Sequence, residues 1–117
     1  MSRGTEALPF RAESSHANEV GVSVVTFWEV ALLSSKGRIA INRHPAVWRS
    51  DVLDLGIREF VLNGDIAIRS ALLVDAHRDP ADRFIMATAQ FHQATLVTAD
   101  HKILDWSGAL SRLDVRL

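Results

Sequence analysis

Glu29, Asp82 and Asp100 are the residues of this chain best placed to do chemistry together. The first two read as lying in the first turn of a helix, and the third directly follows a buried strand. Carboxylate oxygens are hard donors that suit Mg²⁺ or Mn²⁺, and a helix N-terminus helps to keep an acid ionised. Three such groups packed together repel one another unless a cation lies between them. A cation held there could orient a water molecule and stabilise the charge that develops on a phosphoryl group. An acid three residues into a helix is equally an ordinary cap partner, and an aspartate after a strand an ordinary turn residue. Spacing alone leaves both readings open.

The elements that would position these acids can be read along the chain. Residues 1–19 mix charge, small polar residues and a proline, and read as a loose arm or partial helix. Val20 to Val25 is a β-branched run of buried-strand length. Thr26 and Glu29 then have the spacing of a capping box, which predicts a helix to about Ser35, with Lys36 near its C-terminal dipole and Gly37 ending it. Arg38 to Ile41 is a short extended exit. Pro45 opens a second helix reaching about Gly56, Ile57 to Leu62 reads as a strand, and Asn63 caps a third helix. Asp79-Pro80-Ala81-Asp82 is the clearest helix start, with Asp79 as cap and Pro80 at the first helical position. The helix that follows, to about His92, is apolar on more than one face and should be largely buried. Thr95 to Ala99 is a strand, Ile103, Leu104 and Trp106 suggest a short helix, and Leu113 to Leu117 alternates as an edge strand. Strands interleaved with helices imply an α/β domain of three layers, α/β/α, around a mostly parallel sheet. In such sheets ligands collect beyond the C-terminal strand ends, where all three acids fall.

Composition narrows the chemistry. A chain of 117 residues with 48% hydrophobic content is one small domain. Thirteen Lys and Arg against fourteen Asp and Glu give a net charge of −1, so nucleic acid would have to be held by local basic residues or bound metal. The absence of cysteine excludes disulfides, thiol catalysis and cysteine-ligated zinc. The polar N-terminus lacks the apolar run of a signal peptide, and no stretch approaches the length that spans a membrane. A soluble, cytoplasmic protein is the expectation. No glycine-rich phosphate loop occurs.

Three segments resemble one known family. Val24-Val25-Thr26-Phe27-Trp28-Glu29 is similar to the strand-to-helix segment carrying the second acid of VapC-like PIN domains. His77 to Ala89, with its core Asp79-Pro80-Ala81-Asp82-Arg83-Phe84, resembles their third acidic motif, and Leu96-Val97-Thr98-Ala99-Asp100 their fourth. The resemblance covers residues 20–117. It implies that Glu29, Asp82 and Asp100 are the metal-site acids, that Asp79 is a helix cap, and that the activity is Mg²⁺- or Mn²⁺-dependent hydrolysis of RNA. It also implies the toxin of a toxin–antitoxin pair, often a homodimer, inhibited by an antitoxin peptide that enters the acidic cleft. Trp28, Ala31 and Leu32 are candidate apolar contacts for such a partner.

The family begins with an apolar strand ending in an aspartate, and nothing before residue 20 matches it. Residues 1–19 therefore read as a non-family arm on a partial PIN domain at 20–117. The acids there are Glu6, Glu13 and Glu19, of which Glu13 or Glu19 could substitute as a ligand. The family's first strand lies at the centre of the sheet, between the pair of second and third strands and the pair of fourth and fifth. Its absence would expose two rows of backbone donors and acceptors, to be filled by residues 1–19, by a partner chain or by a dimer contact. The chain is then either a ribonuclease with a misassigned start or a degenerate copy, and impaired catalysis is expected. The alternative is an inactive PIN-like protein that binds a partner.

Basic residues beside the acidic motifs are candidate phosphate contacts: Arg78, Arg83, His101 and Lys102, with Lys36 and Arg38 after the first helix. A solvated charge serves as well for each. Thr26 reads as a cap, and both Thr26 and Thr98 are candidates to lie beside the metal cluster. Phe27, Trp28, Trp48 and Trp106 offer stacking surfaces for bases, although packing suits most of them better.

Overall fold

Ser23 decides where the chain passes from strand to helix. Its backbone is extended, with φ −68° and ψ 144°, and its Oγ accepts the Val25 N–H at 3.1 Å. In the computed structural model, which describes residues 12–16 and 19–115 (backbone alone for 12–16 and 19), strand β2 is Glu19–Ser23 and helix α1 is Val24–Ser35. The helix thus opens one turn before the expected Thr26 cap. Thr26 is its third residue, and Glu29 is in its second turn rather than its first. The β-branched pair Val24 and Val25 favours a strand locally, but a capping hydroxyl and the burial of Val25 and Val30 decide for the helix.

Other boundaries follow local chemistry. Helix α2 is Pro45–Asp54, with the His44 Nδ1 accepting the Ala46 N–H at 3.0 Å and Pro45 at the first position. Strand β3 is Arg58–Phe60. Helix α3 is Gly64–Ala71, where Asn63 Oδ1 accepts the Ile66 N–H at 2.8 Å, and Asp65 and Arg69 suit its two dipole ends. Helix α4 is Pro80–Phe91, β4 Thr95–Thr98, α5 His101–Leu104 and β5 Arg112–Asp114. The last two residues of the expected terminal strand lie outside the described residues.

A further strand, β1 at Ala12–His16, lies in the segment read as an arm or partial helix. The sheet order is β3-β2-β1-β4-β5. Strands β2 and β3 pair in parallel, as do β4 and β5, while β1 runs antiparallel to both of its neighbours. Its register sets Ala12 opposite Val22 and Val97, and Glu13 opposite Gly21 and Leu96. The place between the two parallel pairs, where the sequence left a gap, is therefore filled by the chain's own residues. The sheet is mixed, yet β2, β3, β4 and β5 all point the same way, so their C-terminal ends share one edge.

Helix α4 is the buried element the sequence suggested. Ile85, Met86, Ala87 and Ala89 have no solvent exposure, and with Val25, Leu96, Ile103 and Trp106 most of them form one core cluster. Burying a side chain such as Ile85 or Met86 contributes roughly 1.5–3 kcal/mol. Gly21 on β2 is needed for space, because a Cβ there would lie 2.1 Å from the ring of buried Phe60. Trp106 is buried, so packing is its role; Phe27 and Trp48 meet edge to face, with ring centroids 5.6 Å apart. Among the described residues, no helix is long and apolar enough to cross a membrane.

Candidate metal centre

The start of α4 builds the site. Asp79 Oδ1 accepts the Ala81 N–H at 3.0 Å, Pro80 needs no partner at the first helical position, and Asp82 follows as the third residue. This is the geometry the sequence motif predicted. Asp82 is 3% exposed, and a carboxylate that is buried to this degree needs compensating partners. One is His77, whose Nε2 lies 3.2 Å from Asp82 Oδ2. The other ring nitrogen, Nδ1, accepts the Asp79 N–H at 3.0 Å.

The remaining acids arrive beyond β2 and β4, the two strands that flank β1. Glu29 comes from α1, which packs on α4. Asp100 follows β4: its backbone N–H donates to Thr98 Oγ1 at 3.0 Å, and its Oδ1 accepts the Lys102 N–H at 2.8 Å as the cap of α5. Thr98, expected near the cluster, thus shapes the turn that carries Asp100. Thr26 is fully buried one turn before Glu29, and its Oγ1 finds no hydrogen-bond partner among the described residues.

Two overlapping donor groups result. Glu29, Asp79 and Asp82 each offer an oxygen within 4.8 Å of the others, and so do His77, Asp82 and Asp100 with one ligand atom apiece. Asp82 belongs to both. Oxygens bound to a single Mg²⁺ at about 2.1 Å lie roughly 3–4 Å apart, so small side-chain adjustments would close either group on an ion. Four carboxylates converging on one helix start fit a hard divalent cation. The sequence named Glu29, Asp82 and Asp100; the fold arranges the first and last around Asp82, and adds Asp79, which serves as cap and potential donor at once.

A family model of the PIN domain matches residues 2–107. The chain belongs to the PIN-domain family. Ribonuclease VapC22 of Mycobacterium tuberculosis (strain ATCC 25618 / H37Rv) is similar, at 30% identity over 89 residues, which are 75% of this chain and 68% of that protein. No solved structure matches.

The basic residues of this PIN domain divide by placement. Arg83 is occupied by main chain: its guanidinium donates to the carbonyl oxygens of Ser70, Ala71, Leu73 and His77 at 2.8–3.3 Å, tying the end of α3 to the loop before α4. His101 and Lys102 are exposed at the start of α5. Lys102 lines an open cleft of about 500 Å³ with His77, Arg78, Asp75 and Asp105. Lys36 and Arg38 are exposed beyond the end of α1, and Lys36 lies about 10 Å along the helix axis from Glu29. An apolar hollow of about 180 Å³, lined by Val25, Trp28, Leu62, Pro80, Ala81 and Phe84, adjoins the acids, and Trp28 is 57% exposed there.

Sequence reasoning quoted His77 within its motif but gave it no role. A signal was present: an imidazole two residues before a backbone N–H can accept from it, as His44 also does at α2. Arg112 was missed as well. Its guanidinium collects the carbonyl oxygens of Ile103, Leu104, Trp106 and Gly108, holding the chain after α5.

Proposed function

We propose that this PIN domain is a Mg²⁺- or Mn²⁺-dependent endoribonuclease, the toxin of a cytoplasmic toxin–antitoxin pair. The observation that carries the reading is Asp82, buried and common to two groups of metal-donor atoms at the sheet edge. Similarity to a ribonuclease supports the choice of RNA. Glu29, Asp82 and Asp100 would hold the cation, with Asp79 within reach of the first two. When bound, it supplies Lewis-acid polarisation and charge neutralisation at the phosphoryl group. Arg78 and Lys102 in the adjoining cleft face the RNA backbone and offset its charge. Hydrolysis forms a bond from a water oxygen to phosphorus and breaks the bond to the ester oxygen, which leaves with the bonding pair and takes a proton from solvent. A carboxylate of the cluster takes the proton given up by the water.

Cleavage of a set of structured RNAs tests this. Turnover that needs Mg²⁺ or Mn²⁺ and is lost in Asp82→Asn is the expected result; turnover that survives chelation or that substitution would overturn it. Strand β1, which fills the central place in the sheet, carries no aspartate, so weak turnover belongs to the proposal.

The apolar hollow at Trp28 supports a second reading, in which the scaffold binds an antitoxin segment beside the acids without cleaving RNA. Tight antitoxin binding with no metal-dependent cleavage would favour it. A homodimer is carried by family resemblance, and a concentration-dependent mass measurement showing only monomer across the micromolar range would remove it.

A further inference from the structure

His77 lies at ligand distance from Asp82 and Asp100, and by spacing alone it would be counted as a third metal ligand. Its ring hydrogen bond to the backbone assigns it differently. A neutral imidazole carries one N–H and one lone pair. The lone pair is committed at Nδ1, which accepts the backbone N–H of Asp79 at 3.0 Å. The proton is therefore on Nε2, which lies 3.2 Å from Asp82 Oδ2. To ligate a cation through Nε2, the ring would have to move that proton to Nδ1, where it would confront the Asp79 N–H and leave that donor without its acceptor.

From this geometry we infer that His77 is a positioning residue, a fixed hydrogen-bond donor that aims the Asp82 carboxylate, and not a ligand. The inference rests on the metal-centre reading above. The ring spans from the cap position of α4 to its third residue, so the loop that delivers His77 and the carboxylate it touches are set as one unit. Both partners are enclosed, with side chains 16% and 5% exposed. With the imidazole as donor, the coordinating set is oxygen alone, which favours Mg²⁺ and Mn²⁺ over the nitrogen-seeking Zn²⁺ and Ni²⁺.

The test is Mn²⁺ binding by calorimetry on the full chain without RNA, with melting temperatures and Mn²⁺ spin-echo spectra recorded alongside. His77→Asn places an amide oxygen near the position of Nδ1, keeping the bond from Asp79 but not reaching Asp82. His77→Gln reaches Asp82 with an amide N–H. His77→Asn should weaken Mn²⁺ binding by about ten- to hundredfold with little change in melting temperature, the range seen when a group supporting a ligand is lost. His77→Gln should recover most of that loss. The Mn²⁺-loaded parent should show no coupling to a directly bound nitrogen, a readout that stands even if a variant fails to fold. Unchanged affinity in a folded His77→Asn, or a bound-nitrogen signal from His77, overturns the inference alone, provided Asp82→Asn abolishes binding. A parent that binds no Mn²⁺, or an Asp82→Asn variant that binds it normally, overturns the metal centre and this inference together.

Discussion

The indole N–H of Trp106 donates to the carbonyl oxygen of Val74 at 2.8 Å, joining segments thirty-two residues apart. Val74 opens the loop that carries His77, and Trp106 follows the short helix capped by Asp100. The bond therefore links the two sides of one donor group, His77 and Asp100 around Asp82. Trp106→Phe should keep much of the apolar packing while leaving the Val74 carbonyl without this donor, at a cost of about 1–3 kcal/mol in urea denaturation. An unchanged midpoint would show that water replaces the indole freely.

Asp82→Asn should separate stability from metal binding. Removing a buried charge from among Glu29, Asp79 and Asp100 relieves repulsion, so the melting temperature of the metal-free protein should hold or rise. Mn²⁺ at a hundredfold excess over its dissociation constant should stabilise the parent by about 2.7 kcal/mol and the variant hardly at all. Thermal melts with and without Mn²⁺ read both effects, and equal shifts in the two proteins would count against the centre.

Gly21→Ala is expected to destabilise the fold by about 1–3 kcal/mol, because the added methyl meets a rigid ring in a packed core. The ring is that of Phe60, two positions along the neighbouring strand from the residue opposite Gly21, and it cannot withdraw as a flexible chain end would. Phe60→Leu in the same chain should lessen the penalty of the alanine, measured as a coupling energy in a double-mutant cycle.

His92 stacks on Phe60 with ring centroids 4.2 Å apart, and burial first, then the charge of Arg58, holds its pKa below the usual histidine value. A folded-state pKa below the unfolded one means that the unfolded chain binds the proton more readily. The stabilising contribution is complete above about pH 6.5, the ordinary histidine value, and is lost as pH falls through the lowered folded value. His92→Phe should flatten this part of the stability profile. An NMR titration that places His92 at or above the ordinary range would contradict the sign.

What the sequence disclosed was the chemistry that acts over a few residues. Asp79-Pro80-Ala81-Asp82 announced its own helix because cap, proline and third-position acid are all contained in four residues. The same local logic erred at Thr26, since Ser23 was an equally good cap and the choice between them fell to burial of Val25 and Val30. Strand β1 was not legible: Ala12-Glu13-Ser14-Ser15-His16 lacks the β-branched and aromatic residues of a strand, and although β2 follows after two residues, its other partner β4 is remote. Arg83 stood next to an acid in sequence and was read toward RNA, whereas four carbonyl oxygens from the preceding loop and α3 engage it in space.

The single antiparallel strand at the middle of the sheet also fixes a distance. Two pairings of about 4.8 Å each set β2 and β4 roughly 10 Å apart, and those are the strands that lead to Glu29 and to Asp100. A carboxylate reaching inward from each rim would fall short of the other, and Asp82, delivered from α4, stands in that interval as the shared member of both groups. The width of one strand thus acts as a ruler for the metal centre, and loss of the pairing of residues 12–16 on either side would remove that spacing without touching any ligand.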